Sequence, residues 1–357
     1  MKIAHFNFMH EVTSGVINQL EYESASAEIS TVSWKTFIYF SGFAGSKKLK
    51  TLKKLNYNGP LASLAHRAWF MLGIVKQQKF YDLILIRYDP YNPFLTFFLL
   101  FFKTKKIFLV HHSKEVEELK LEQGFKGFIK VFLEYVCGFI NVRRSDGTVA
   151  VTHEIGKYES CRGNRDVYYI YPNGIDYSTS IVANDNRTNI PEFIFVASVF
   201  SPWQGLDKLI DAAALSKDEF LIHIIGRVSD VDLLKIQKDL RFKYHGPLGQ
   251  DGICDISSSA WVGISSLALE RQSLKEACAL KVREYLAMGI PVYGGYKEVL
   301  PDYFIFYKNE EININSLLSY AREMRFVSRN AISVYSKKYI DKSILMNNFL
   351  SELVKNG

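Results

Sequence analysis

Short apolar runs alternate along the chain with longer segments in which apolar residues recur every three or four positions. The runs 2–8, 83–87 and 107–110 have the length and composition of strands, and 62–77 has helical spacing. Further strand-like runs lie at 29–32, 36–40, 147–151, 168–171, 193–198, 220–226 and 260–266. Strands that alternate with helices are typical of an α/β protein with a doubly wound parallel sheet.

The chain is long enough for two domains, since it has 357 residues with an apolar fraction of 48%. A polar, turn-rich stretch, 178–191, follows the strand-like run 168–171. We therefore predict a first domain at 1–176, a linker at 177–191, a second domain at 192–335 and a final helical segment at 336–357.

The segment 269–294 holds a pair of carboxylates, Glu276 and Glu284, with Lys275 and Lys281 close to them in sequence. Its second half predicts a helix that ends at Gly289, followed by a short buried strand. The start of a helix has unpaired N–H groups and a positive dipole, which favour a phosphate. Carboxylates on either side of a diphosphate can accept from hydroxyl groups, and a nucleotide sugar has this layout.

The same segment resembles the retaining glycosyltransferases of the GT-B fold, in particular glycosyltransferase family 4. Glu276 and Glu284 match the family's E-x7-E signature, and Leu-Lys-Val-Arg-Glu-Tyr-Leu-Ala-Met-Gly-Ile-Pro-Val at 280–292 is similar to a bacterial polysaccharide branch. Pro-Asn-Gly-Ile-Asp at 172–176 resembles a second family motif. The resemblance implies two Rossmann-like domains facing a central cleft, with the acceptor on the first and the donor on the second. It also implies that the final helix crosses back to the first domain.

The resemblance implies roles for individual residues of this chain. The catalytic residues would be His111, Glu276 and Lys281. His111 directly follows the predicted strand 107–110, and His112 is its alternative. The donor-binding residues would be Gly15, Asn173, Arg227, Gly246, Lys275, Ala277, Leu280 and Glu284.

The chain departs from the family where relatives carry two cations that hold the diphosphate. No basic residue occurs from 193 to 207, and Gln204 stands where relatives have a lysine. We expect Arg227, Lys275 or Lys281 to supply the charge instead. We predict no metal, because the Asp-x-Asp at 230–232 opens a predicted helix, where an N-terminal charge pair is the ordinary interpretation.

The excess of basic over acidic residues is confined to the N-terminal part. The net charge is +7, and residues 1–106 contain five lysines within 47–54. Aromatic residues precede this cluster: Trp34, Phe37, Tyr39, Phe40 and Phe43. Since no nucleic-acid-binding motif accompanies these residues, we predict that they bind an anionic membrane surface and not nucleic acid.

Other features bear on location. Four scattered cysteines indicate reduced thiols, no signal peptide is recognised, and the apolar run 93–102 is too short to span a bilayer. We predict a cytoplasmic protein that is peripheral on the inner face of the cell membrane.

The function expected from the resemblance is retaining, metal-independent and cofactor-free transfer of a hexose from a nucleotide sugar. The acceptor would be a bacterial surface glycan, such as O-antigen or capsule, or a lipid-linked glycan. The alternative is a non-catalytic GT-B protein that binds a sugar nucleotide or a partner transferase. A nicotinamide-dependent dehydrogenase is disfavoured because no Gly-x-Gly-x-x-Gly follows an early strand.

Overall fold

The computed structural model describes residues 1–9, 14–30, 32–40, 49–53, 55–57, 59, 61–122 and 124–356. The chain divides into two compact units. The first comprises Met1–Asp176 with Lys342–Gly357, and the second comprises Tyr177–Asp341.

The first unit contains a seven-stranded parallel sheet with strand order β3-β2-β1-β4-β5-β6-β7. Its strands are β1 Lys2–Met9, β2 Ser33–Phe40, β3 Lys50–Thr51, β4 Leu83–Arg87, β5 Lys106–His111, β6 Gly147–Ala150 and β7 Tyr168–Ile170. Its first six helices are α1 Ser14–Glu28, α2 Ala62–Gln77, α3 Pro93–Phe101, α4 Glu115–Lys120, α5 Phe125–Arg144 and α6 His153–Arg162.

Both faces of this sheet are covered, which explains why its strands are apolar at consecutive positions. On β4, Ile84 packs in one apolar cluster with residues of α2, α3 and α5. Its neighbours Leu83 and Leu85 belong to a different cluster. Successive strand residues point to opposite faces, so α2, α3 and α5 lie on one side of the sheet.

The second unit contains a six-stranded parallel sheet with order β10-β9-β8-β11-β13-β15. These strands are β8 Glu192–Val199, β9 Leu221–Arg227, β10 Phe242–Gly246, β11 Val262–Ile264, β13 Val292–Gly294 and β15 Tyr307–Asn309. A separate parallel pair joins β12 Glu276–Ala277 to β14 Lys297–Glu298. The helices are α7 Leu206–Leu215, α8 Asp230–Ile236, α9 Gln250–Ser257, α10 Leu280–Ala287, α11 Ile314–Met324 and α12 Arg329–Ile340.

The last helix, α13 Lys342–Asn356, belongs to the first unit. Its Phe349 stacks on Tyr171 at 4.7 Å between ring centroids, and Met346 and Leu353 are buried in the same cluster. The backbone N–H of Lys342 donates to the carbonyl of Ile175 at 2.8 Å. The helix therefore packs against the side of the first sheet opposite α2, α3 and α5.

The structure confirms the predicted α/β class with two parallel-sheet, Rossmann-like domains. Two details differ from the sequence predictions. Residues 29, 30 and 32 of the predicted strand 29–32 do not form a strand, since Ile29 is exposed directly after α1 and the Ser30 hydroxyl donates to the carbonyl of Val32; Thr31 lies outside the described residues. Helix α12 was not predicted, and the expected boundary at 335 falls within it. Among the described residues, no helix is both long and apolar enough to cross a bilayer.

The membrane-binding aromatics expected near the N-terminal lysines are contradicted where the structure describes them. Trp34, Phe37 and Tyr39 are buried in the first domain, because α2 and α13 cover the faces of the sheet that carry them. Lys50 and Lys53 are exposed. Lys47, Lys48, Lys54, Phe43 and the side chain of Phe40 lie outside the described residues.

Candidate functional site

The candidate site of the second domain lies at the carboxyl ends of β8, β9, β10 and β11. In a parallel sheet these ends meet at one edge, where open α/β sheets bind ligands. Close backbone approach requires glycine there: a Cβ on Gly226 would lie 1.6 Å from the carbonyl oxygen of Ala197. Gly205 has a φ of +73°, and a Cβ on it would meet Leu267 at 2.9 Å. The loops at this edge are therefore closely packed.

A lysine is held at this edge by an amide. The Lys281 ammonium donates to the Gln204 side-chain oxygen at 2.7 Å, and the Ser266 hydroxyl donates to the same oxygen at 3.1 Å. Lys281 is half-buried and lies 5.1 Å from the centroid of the Phe195 ring. Burial lowers the pKa of Lys281 to about 7, although Glu284 opposes the shift. Gln204 thus orients the Lys281 ammonium at this edge.

Helix α10 begins beside that lysine with a poorly capped N-terminus. Its N-cap residue, Ala279, has no polar side-chain atom that could accept from the first N–H groups. The N–H of Val282 donates to the carbonyl of Ala279 at 3.2 Å, whereas the N–H of Leu280 is suited to an external acceptor. The N–H of Ala279 itself donates to Glu298 at 3.3 Å. Glu298 also forms a 2.6 Å ion pair with Arg283, and both side chains are fully buried. Burial raises the pKa of Glu298, while Arg283 opposes the shift.

The Arg283–Glu298 pair fixes the start of α10 from inside the domain. Glu298 was not predicted from the sequence. The available signal was the position of Arg283 between the buried residues Val282 and Tyr285, since a charge on a buried helix face requires a partner. The position of Arg283 predicts that an acidic partner exists but does not identify its place in the sequence.

The two signature glutamates occupy different elements. Glu276 was expected in a loop but lies in β12, where it pairs in register with Lys297 and comes within 3.9 Å of its ammonium. Glu284 is half-buried on α10, three residues after Lys281 and thus on the same side of the helix. Burial raises the pKa of Glu284, and Lys281 opposes that shift.

The other predicted donor-binding residues of this domain lie in or beside the same loops. Arg227 ends β9 with an exposed side chain, and its carbonyl accepts from the N–H of Phe200 at 2.8 Å. Gly246 ends β10 with a φ of +67°. Lys275 is exposed just before β12, and Ala277 is the second residue of that strand.

In the first domain, Gly15 and Asn173 lie close to each other. Gly15 is in the first turn of α1, and residues 10–13 before it lie outside the described residues. Gln19, one turn further along α1, donates a hydrogen bond from its side chain to that of Asn173. Asn173 follows β7, so both residues are at the carboxyl edge of the first sheet.

His111 is the last residue of β5 and is completely buried. Its Nδ1 lies 3.0 Å from Glu115 and its ring stacks on Tyr88 at 4.5 Å. Burial lowers the pKa of His111 to about 4, against the opposing charge of Glu159. His111, Glu115 and Glu159 are close enough for a metal site, but Arg162 already pairs with Glu159 at 2.7 Å. The cluster is therefore a packed core network, not a surface open to a sugar.

Of the two adjacent histidines 111 and 112, His112 is the one with exposed surface. It is half-buried, and its Nε2 lies 3.1 Å from the guanidinium of Arg87 at the end of β4. Burial and the charge of Arg87 hold its pKa well below the ordinary value, so the ring is neutral at pH 7. The family resemblance favours His111 over His112, but of the two only His112 has surface that a ligand could contact.

Comparison with known proteins gives a fold but no family assignment. No protein-family model and no curated protein sequence matches the chain. Among solved structures, a glycosyltransferase from Rickettsia africae matches with a TM-score of 0.68 at 15% identity over 100% of both chains. HepE of Anabaena, solved with UDP and glucose, matches with a TM-score of 0.66 at 12% identity over 99% of this chain and 100% of HepE.

A third similar structure is WaaG, described as a glycosyltransferase involved in lipopolysaccharide biosynthesis. It matches with a TM-score of 0.62 at 13% identity over 97% of this chain and 98% of WaaG. The two Rossmann-like domains of this protein thus have the fold of GT-B glycosyltransferases.

Proposed function

We propose that the protein is a glycosyltransferase that takes a sugar from a nucleotide-sugar donor. The observation that carries the proposal is the ammonium of Lys281, held 2.7 Å from Gln204 beside the open N-terminus of α10. A cation beside a helix N-terminus that has no side-chain cap is suited to a diphosphate. The likeness to HepE, solved with UDP and glucose, supports a donor of this class.

The second domain would bind the donor through the residues grouped at its carboxyl edge. Lys281 and the end of α10 would stabilise the negative charge that develops on the leaving diphosphate, with Arg227 and Lys275 as further cations. Glu276 would accept from hydroxyls of the transferred sugar and Glu284 from those of the ribose. Charge supplied in this way requires no divalent metal, so we expect activity to persist in EDTA.

Backbone groups complete the proposed donor site. The N–H groups near Ala277 and Leu280 would contact the diphosphate, and the loop at Gly246 would contact the base. In the first domain, Gly15 and Asn173 retain the donor-binding roles that the family resemblance implies. This assignment rests on their positions in the two domains and on that resemblance.

His112 is the proposed catalytic histidine of the first domain. It replaces His111 in this role, because a buried ring bonded to Glu115 cannot reach a ligand. As a neutral ring next to Arg87, His112 can accept or donate a hydrogen bond to a sugar hydroxyl. His111 would then act as a positioning residue that holds the end of β5 in place.

We further propose that transfer retains the anomeric configuration and that the acceptor is a bacterial surface glycan or lipid-linked glycan. The E-x7-E pair and the phrase at 280–292 support retention through their resemblance to family 4. The fold shared with WaaG, which acts in lipopolysaccharide biosynthesis, supports this acceptor class.

The proposal is tested with a thermal-shift and hydrolysis screen of UDP-, GDP-, dTDP- and CMP-sugars. One donor class should raise the melting temperature and be hydrolysed. Lys281→Met should lose both effects, whereas Lys235→Met, which removes an exposed lysine of α8, should behave like the parent protein. A screen in which no sugar nucleotide stabilises the parent protein contradicts the proposal.

A second candidate is a GT-B protein that binds a sugar nucleotide without transferring the sugar. The absence of basic residues from 193 to 207 favours it, because this leaves fewer cations for the leaving group. This candidate predicts stabilisation by a donor that depends on Lys281, with neither hydrolysis nor transfer. The screen therefore separates the two functions.

A further inference from the structure

Helix α5 has its polar side turned inward and its apolar side turned to solvent. Glu134 and Asn141 are fully buried, and Glu134 accepts from the hydroxyl of Tyr88 at 2.9 Å and from the guanidinium of Arg162 at 2.6 Å. Eight of its twenty residues are large apolar side chains that are exposed. The most exposed is Phe125, at 77%. This is the reverse of the arrangement expected for a helix on the surface of a soluble domain.

The neighbouring helix α3 extends this apolar surface. Phe97, Phe101 and the following Phe102 are exposed and contact one another, with ring centroids 4.9 and 5.6 Å apart. Helices α3 and α5 pack together on the same side of the first sheet, so their exposed faces both point away from that sheet. Seven of the nine exposed phenylalanines in the described part of the chain lie on this α3–α5 face.

Helix α5, which forms most of this face, carries an excess of positive charge. The sequence of α5 contains one acidic residue, Glu134, and it is buried. Lys126 near the start of the helix and Arg143 and Arg144 at its end are exposed. Lys130 forms a 2.5 Å ion pair with Glu122, just before the helix, so its charge is balanced locally. An apolar strip about 30 Å long, at 1.5 Å per residue, is thus flanked by cations at both ends.

We propose that the α3–α5 face binds the surface of an anionic lipid bilayer, with α5 lying in the plane of the interface. Exposed aromatics would enter the boundary between headgroups and acyl chains, and the terminal cations would contact lipid phosphates. A second copy of the chain is a less suitable occupant, because pairing two such faces brings basic helix ends together. This inference does not depend on the donor site, and it replaces the buried Trp34, Phe37 and Tyr39 as the source of membrane contact.

The apolar contribution is tested by sedimentation with vesicles of phosphatidylglycerol and phosphatidylcholine. The combined Phe128→Ser, Phe132→Ser and Phe139→Ser variant should bind at least about 100-fold more weakly than the parent protein. Its matched control replaces three exposed apolar residues of the second domain with serine, Leu215, Leu240 and Phe326, and should bind normally. Circular dichroism and the melting temperature establish that both variants are folded.

The charge contribution is tested with Lys126→Gln, Arg143→Gln and Arg144→Gln combined. This variant should lose its preference for anionic over pure phosphatidylcholine vesicles. The variant that replaces lysines 47, 48, 50, 53 and 54 with glutamine serves as its control and should stay bound.

Three results would overturn the proposal. The first is normal vesicle binding by the folded triple-phenylalanine variant. The second is loss of vesicle binding in the five-lysine variant while the Lys126, Arg143 and Arg144 variant still binds. The third is a parent dimer in solution that the phenylalanine variant dissociates, since this would assign the α3–α5 face to a second copy.

Discussion

Donor affinity should depend on pH through Lys281. In the free protein, burial beside Phe195 and Gln204 lowers the pKa of Lys281 to about 7, and only the charged form can pair with a diphosphate. Binding of the diphosphate therefore raises this pKa again. Below pH 7 the ammonium is charged in both states and affinity is constant. Above pH 7 binding must take up a proton, so affinity falls.

The size of the effect follows from the pKa. At pH 8.5, about 3% of the free protein carries a charged Lys281, which costs about 2 kcal/mol of binding energy, or thirtyfold in Kd. Isothermal titration with a nucleotide sugar at pH 6.5 and 8.5 measures this loss. Repeating the titration at pH 8.5 in buffers of different ionisation enthalpy measures proton uptake, which should approach one per donor.

The Lys281→Met variant provides the control. It should bind weakly at both pH values and show no proton uptake. His112 cannot mimic the effect, because its pKa lies well below this range. Equal affinity of the parent protein at the two pH values, or proton uptake retained by the methionine variant, would refute the assignment of Lys281 to the diphosphate.

The same shift predicts how folding stability depends on pH. The ordinary pKa of Lys281, 10.5, applies to the unfolded chain, and the folded value is about 7. Between these values the unfolded state binds more protons, so this residue makes unfolding less favourable as pH rises from 7 to 10.5. Toward pH 7 that stabilisation is lost. Lys281→Met should remove this component from the pH profile of the free energy of unfolding.

Three further predictions concern the glutamates of the second domain. Glu276→Gln should lower kcat/KM about thirtyfold, roughly 2 kcal/mol, because its hydrogen bonds to the sugar become weaker. The melting temperature should change little, since the ion pair of Glu276 with the exposed Lys297 is long, at 3.9 Å. Glu270→Gln is the exposed control, and near-normal turnover would remove Glu276 from the site. Glu284→Ala should raise the donor KM more than it lowers kcat, since ribose contacts form in both ground and transition states; steady-state kinetics that show the opposite split contradict this role. Glu298→Ala should destabilise the fold by about 3–5 kcal/mol in urea denaturation, because Arg283 is left buried without its partner; a loss below about 1 kcal/mol would show that the pair does not hold α10.

The fold could be predicted from the sequence where consecutive residues of an element are all apolar because all of them are buried. Ile84 and Leu85 face opposite sides of one sheet, and both sides are covered, so the strand is a continuous apolar run that is easily recognised. Trp34 and Tyr39 show where this reasoning stops. From the sequence they can be recognised as aromatic residues of a strand. Their burial could not be predicted, because α2 and α13, which bury them, come from distant parts of the chain.

The candidate site shows a similar limit. Lys281 could be singled out because it lies between the two signature glutamates. Its partner Gln204 ends the short 3₁₀ helix Pro202–Gln204, 77 residues away, and no feature of the sequence predicts that the two side chains meet. Glu298 could not be found, because its contact with Arg283 depends on β14 passing beside the start of α10. Distances of this kind are properties of the folded chain.

The contact of Lys281 with Gln204 has a chemical consequence for the proposed reaction. A glutamine oxygen 2.7 Å from Lys281 orients the ammonium without adding a second charge, and burial leaves this ammonium only weakly basic in the free protein. The diphosphate gains negative charge as the sugar departs, so the pKa of Lys281 must rise further in the transition state than in the donor complex. Its interaction is then strongest when the bond breaks, and only this difference accelerates the reaction. A single tuned cation and a helix N-terminus can therefore supply selective stabilisation of the transition state in the proposed reaction.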